Sequence, residues 1–340
     1  MRPGEVNQRN CRNTQGKAAK IFWRCKRKVL RYVGKRLVTM IPILLGVIFI
    51  IFAIMEMTPG DPAVRILGND AGPEALEAMR EELGLNKPFV VRFADYIVKI
   101  VTKLDFGTSW RTNNPVFQDM ASRIPISFKL ALQGILFATI VGIPLGVLSA
   151  VKQYSLSDNI LRVTATVMVA MPTFWLAMLL ILVFALYLGW CPPGGADKWN
   201  SYILPVITCG GPYACSILRM TRSTMLEEIR KDYIRTANAK GVPDRVITYR
   251  HALKNALLPV VTTIGSCFGY IVGGSVIAES VFSLPGLGSL VILSIKSKDT
   301  PMVTASVVLI AFFFAIIMLL VDVAYALIDP RIRAKYAKSN

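Results

Sequence analysis

Charge is scarce in this sequence. Asp, Glu, Lys and Arg make up 18% of its 340 residues, apolar residues make up 54%, and the mean hydropathy is +0.50. An average soluble domain carries about 25% charge. Several stretches of about 20 residues have no charge at all, the length a helix needs to cross a hydrocarbon core. A soluble enzyme, a secreted disulfide scaffold and a disordered tail are therefore excluded for the chain as a whole. Histidine is nearly absent, with His251 alone, and the six cysteines (Cys11, Cys25, Cys191, Cys209, Cys215, Cys267) include no CxxC pair. No metal site and no catalytic residue follow from such a set: a zinc site needs clustered ligands, and a catalytic thiol needs a base. Cys209, Cys215 and Cys267 lie in apolar spans and read as small hydrophobes.

Two further absences bear on energy supply. The centres of the apolar spans hold no ionisable group; Glu56, Glu279 and Asp322 sit near span ends. A secondary transporter needs such groups for ion coupling. The chain also lacks GxxxxGK[ST], so it has no P-loop for ATP. If transport is active, another subunit supplies the energy.

What is present is an unequal distribution of cations. Lys and Arg number 39 against 21 Asp and Glu, a net charge of +18. No basic, aromatic-interleaved module for nucleic acid is visible, and basic residues gather on the cytoplasmic side of membrane chains. Residues 1–36 are a basic segment in which Arg24, Lys26, Arg27, Lys28, Arg31, Lys35 and Arg36 crowd before the first span. This segment reads as the cytoplasmic start of a retained first helix, within reach of anionic lipid headgroups. Six spans are expected: Leu37–Met55, Leu130–Val151, Val163–Trp190, Ser201–Leu218, Asn255–Ala278 and Thr300–Val321. An even number puts both termini on one side. The loop 219–254 holds nine Lys or Arg and the tail 327–340 adds Arg331, Arg333, Lys335 and Lys338, so this side is the cytoplasm. The chain is thus expected to be an all-α, multi-pass protein of a cell membrane, with a membrane domain over 37–326.

The outer segment 57–124 is mixed in charge. Pro73–Leu83 has helical composition and stops before Gly84. Pro88–Leu104 carries Phe89, Phe93, Tyr96, Ile97, Ile100 and Leu104 at helical spacing, an amphipathic face suited to the outer membrane surface, to the mouth of a pathway, or to packing on neighbouring helices.

The cytoplasmic loop is the most informative stretch. Its first half, around Asp232–Lys240, is helix-forming and ends at Gly241, a natural C′ residue. Pro243 and Asp244 suit the start of a second helix. Two helices joined by a tight glycine turn form a rigid projection able to transmit a push; a plain solvated basic loop is the other reading of the composition. Glu279, after Gly273-Gly274, either faces a pathway toward a cationic amine or metal, or is solvated at the interface or hydrogen-bonded to a neighbour. Met171 is a candidate pathway residue; the spacing of Met168, Met171 and Met178 fits core or lipid-facing packing at least as well as soft-metal ligation. Asp322 is expected to anchor its helix end or to pair with a basic loop residue. Prolines at 42, 125, 144, 172, 205 and 259 can bend helices.

These residues also carry a resemblance. Asp232-Tyr-Ile-Arg-Thr-Ala-Asn-Ala-Lys-Gly241, then Arg250-His-Ala-Leu-Lys-Asn-Ala-Leu-Leu-Pro259, resembles the coupling loop of ABC importer permeases, in the branch serving oligopeptides, dipeptides, glutathione and nickel. Thr58-Pro-Gly-Asp-Pro62, Gly142-Ile-Pro-Leu-Gly146, Met171-Pro-Thr-Phe-Trp175, Thr221-Arg-Ser-Thr-Met-Leu-Glu227, Pro285-Gly-Leu-Gly288 and Asp329-Pro-Arg-Ile-Arg333 follow in the family's order. Arg235-Thr236-Ala237 and Gly241 match the family's Glu-Ala-Ala…Gly by position, with Arg and Thr in place of its first two residues, as is usual in this branch.

The resemblance implies a six-helix permease fold with a coupling-helix loop. ATPase coupling would fall to Asp232, Tyr233, Arg235, Thr236, Ala237, Lys240 and Gly241. It implies a second related permease, two ABC ATPase subunits that hold ATP and Mg, and an extracytoplasmic solute-binding protein, with no cofactor bound by this chain. The implied cargo is a short peptide, with nickel or another chelated metal as the alternative. A passive channel or a membrane scaffold is the reading from a different class.

Overall fold

A computed structural model describes residues 33–58, 61–68 and 70–328. The basic residues 1–32 and the tail motif at 329–333 lie outside the described residues. All regular structure among the described residues is helical, apart from one isolated bridge between Thr108 and Pro115. The helices are α1 (Val33–Met57), α2 (Pro62–Leu67), α3 (Pro73–Glu82), α4 (Phe89–Lys103), α5 (Val116–Ala121), α6 (Ile124–Val151), α7 (Leu156–Ala170), α8 (Thr173–Tyr187), α9 (Ile203–Ile229), α10 (Asp232–Ala239), α11 (Asp244–Gly274), α12 (Val276–Val281), α13 (Leu287–Lys296) and α14 (Thr300–Ile328).

Five of these, α1, α6, α9, α11 and α14, are long and apolar enough to cross a membrane. The expected third span, Val163–Trp190, is not one straight helix. It is the pair α7 and α8, which meet at 109°. Pro172 forces the bend: the residue before a proline is pushed out of the helical region, and Met171 is extended at φ −69°, ψ 131°. Counting this bent pair as one span gives six.

The centre of the bundle is the contact between α6 and α9. Gly134 faces Cys209, Gly142 faces Ala214 and Ile217, and Gly146 faces Leu218 and Thr221, so the two helices run parallel. A Cβ on Gly142 would lie 2.6 Å from the Ala214 carbonyl oxygen, and one on Gly146 would lie 2.6 Å from the Thr221 Cβ. Small residues at these positions let the backbones touch, which is how helices associate in a lipid solvent. α11 covers the other side of α9, and α14 packs antiparallel on α11, with Gly265 against Val321 and Gly269 against Met318.

α1 lies at the periphery. It exposes Leu37, Val38, Ile41, Phe49, Ile50 and Ile54, a surface suited to hydrocarbon. Arg36 pairs with Asp322 of α14 at 2.9 Å, so the basic partner of Asp322 comes from the first helix and not from a loop. At its other end α1 meets α4, where Phe49 and Phe52 pack against Phe89, Phe93 and Tyr96. Of the three uses open to the amphipathic face of α4, packing on a neighbouring helix is what is observed. The outer segment is tied down further by the Asp61–Arg80 pair and by Asp299, which accepts hydrogen bonds from the Ser109 hydroxyl and the Arg111 N–H. The Arg80 guanidinium holds the Asp61 carboxyl below its ordinary pKa.

Candidate functional site

One end of the bundle carries the basic loop, and α10 projects there. Ile234 is its single buried side chain. It enters a cluster with Val147 and Ala150 of α6, Met225 of α9, and Ile247, Ala252 and Ala256 of α11. One anchor thus belongs to a single buried cluster that also holds residues of three long helices. Tyr233 adds a polar tie: its hydroxyl donates to Glu228 at 2.7 Å and accepts from the Asn255 amide at 3.0 Å. Burial raises the pKa of the phenol above its ordinary value.

The helix stops as the sequence leads one to expect. Gly241 adopts φ +74°, its N–H donates to Asn238 O at 2.9 Å, and the Val242 N–H donates to Ala237 O at 3.3 Å. These bonds satisfy carbonyls left free at the helix end, and glycine alone enters that conformation without strain. Pro243 then opens α11, whose stretch Ile247–Ala252 is wound as a π-helix. That wide turn has no sequence signature; it brings both Ile247 and Ala252 into the cluster under α10.

The seven expected coupling residues therefore lie together on α10 and its glycine turn. Asp232, Arg235, Thr236 and Lys240 are exposed, while Ala237 is half-buried against the seat. Arg235 and Asp232 approach to 3.6 Å with both side chains in solvent. Such a surface has no nucleophile paired with a base. Ile234 packs beneath it in one cluster with residues of α6, α9 and α11.

A latch missed by the sequence reading lies beside this seat. Asp158 of α7 is fully buried and receives Nε and Nη2 of Arg222 on α9, each at 2.8 Å. The Ser149 hydroxyl of α6 and the Tyr154 N–H also donate to it. Three helices meet on one carboxylate. The available signal was an acid and a base at the same ends of successive spans.

Of the readings open to Glu279, a bond to its neighbours is what is observed, with its side chain fully buried. It accepts from the Ser275 hydroxyl at 2.9 Å, the Gly288 N–H at 2.7 Å and the Ser289 N–H at 3.2 Å. The Ser127 hydroxyl of α6 accepts from the Leu287 N–H at 2.8 Å. Together, two side chains satisfy three of the four N–H groups left open at the start of α13. Glu279 is a helix cap that joins α12 to α13, and Ser127 ties the same helix start to α6, at the end opposite the basic loop. Met171 lies at the bend between α7 and α8, half-buried, beside Val167, Phe174 and Trp175.

Two family models match the chain. The N-terminal model of binding-protein-dependent transport system membrane components covers residues 29–131, and the inner membrane component model covers residues 142–334. The chain is also similar to curated proteins over 90% of its own length and all of theirs. Examples are the glutathione transport system permease protein GsiC of Escherichia coli K12 (40% identical over 307 residues) and of Salmonella choleraesuis (40% over 307). Another is the dipeptide transport system permease protein DppB of Alkalihalophilus pseudofirmus (39% over 333).

Proposed function

The chain belongs to the binding-protein-dependent transport system inner membrane component family as a multi-pass permease of an ABC importer, and from that premise we propose its cargo, orientation and partners. The cargo is a short peptide. Relatives similar over their whole length are named for glutathione and dipeptide transport, which favours peptide over nickel. The end bearing α10 faces the cytoplasm, where positive-inside sorting directs its nine Lys and Arg residues. α10 docks on an ATPase subunit through Asp232, Arg235, Thr236 and Lys240. A second permease completes the pathway, two ATPase subunits hold ATP and Mg, and an external binding protein delivers the cargo.

The observation that carries this reading is the seat of α10: one exposed polar helix whose single buried residue joins a cluster shared with residues of three spans. Closure of the ATPases on ATP favours one position of α10, and the spans follow to the outward-open state. Hydrolysis reverses the preference. Differential affinity of the partners for two states of the bundle drives the cycle. Native mass spectrometry of the protein purified gently from its own membranes tests the assembly. A complex with one further permease and two ATPases supports it; a lone chain or a homo-oligomer under several mild detergents contradicts it.

A further inference from the structure

We propose that the groove between α7 and α9 binds an anionic phospholipid, with its phosphate among arginines and an acyl chain along the bend into α8. A cavity of about 450 Å³ opens there, lined by Arg162 and Thr166 of α7, by Arg219, Ser223 and Glu227 of α9, and by Arg230 just past its end. Arg222 lines it too, but its charge is matched by Asp158. Among the described residues, Arg162, Arg219 and Arg230 form no ion pair, and Glu227 is the one acid in the lining. The cavity therefore keeps two net positive charges, with two hydroxyls beside them. Guanidinium groups bind phosphate oxygens through paired, charge-assisted hydrogen bonds.

The depth of the site matches a headgroup. α9 carries no charge from Ile203 to Leu218, and Arg219 is its first cation. The cavity thus sits where the helix leaves its apolar stretch. A second hollow, of about 570 Å³, is lined by Val167, Ala170, Met171, Pro172, Phe174 and Trp175. Arg162, Thr166 and Ala170 are four residues apart on one face of α7, so the two hollows follow one another along a single stripe. From Arg162 to Met171 the helix rises about 14 Å, a length an acyl chain can follow. Beside them Val163 and Val167 are exposed. A free phosphate or a cargo carboxylate would use the first hollow only; an anionic lipid uses both.

The test is native mass spectrometry of the full chain, in whatever complex it purifies with, after exchange into defined mixtures of phosphatidylglycerol and phosphatidylethanolamine. The wild type is expected to retain phosphatidylglycerol selectively. Arg162→Gln with Arg219→Gln removes two surface cations and should weaken retention about 30-fold, equivalent to roughly 2 kcal/mol. Glu227→Gln removes the only opposing charge and should strengthen it. Equal retention of the two lipids overturns the proposal, as does an unchanged double variant. Displacement of the lipid by glycerol phosphate or by a dipeptide at equal concentration also overturns it, and would assign the arginines to a soluble anion or to the cargo. If the double variant does not accumulate, Glu227→Gln decides alone: retention that fails to rise contradicts the site.

Discussion

Gly241 turns the chain at φ +74°, and a Cβ added there would meet nothing within 4 Å. The cost of a side chain is therefore conformational, about 1–2 kcal/mol for a residue forced into the left-handed region. Gly241→Val should insert normally and leave the spans packed, yet displace α10. Arg235→Glu changes an exposed side chain whose ion pair with Asp232 lies in solvent and is worth little to the fold. Both variants are expected to accumulate in the membrane and to lose ATP-dependent uptake; unchanged uptake in both would sink the role given to α10. Glu279 leads to the opposite expectation. Gln in its place puts an amide donor against backbone donors at the start of α13 and costs about 1–3 kcal/mol. Glu279→Gln should lower the melting temperature by several degrees while the ratio of dipeptide to glutathione uptake stays fixed. A shifted ratio would return Glu279 to the pathway.

At the scale of elements, the latch between α7 and α9 is the most consequential contact near the seat. Asp158→Ala leaves Arg222 partly buried with no partner, and the loss should be on the order of 3 kcal/mol. Arg222→Lys should recover only part of it, because an ammonium cannot bind both carboxylate oxygens in the plane. Thermal unfolding of the purified complex reads both; equal stability of all three proteins would show that the latch holds nothing. The elements differ in how far the sequence foretold them. α3 and α4 begin and end within a residue of expectation, since Pro73, Gly84 and Pro88 punctuate the chain locally. The bend between α7 and α8 was written at Met171-Pro172, but a long apolar run hides it: hydropathy averages over a window, and bilayer length alone favours one straight span. The cap on α13 was out of reach of local reading, because Ser127 and Leu287 are 160 residues apart in sequence. Glu279 looked like a pathway residue because a buried acid in an apolar setting has few local explanations.

The whole molecule is organised by its two ends. At one, Glu279, Ser127 and Asp299 lock short helices onto the bundle; at the other, Ile234 and the Asp158–Arg222 latch tie α6, α7, α9 and α11 to a charged projection. Between them lies the close parallel contact of α6 and α9. The fold class, the charge asymmetry and the glycine-terminated projection were legible from composition and spacing. The division of labour between the ends was not, since it depends on which side chains meet. The most direct test is uptake of a labelled dipeptide and of labelled glutathione into proteoliposomes holding the full complex with its binding protein. ATP hydrolysis is followed in the same vesicles, for the wild type and for Arg235→Glu. Uptake that requires ATP in the wild type, and that is lost in the variant, is the expected result. Cargo flux without ATP, or undiminished uptake in Arg235→Glu, would contradict coupling through α10.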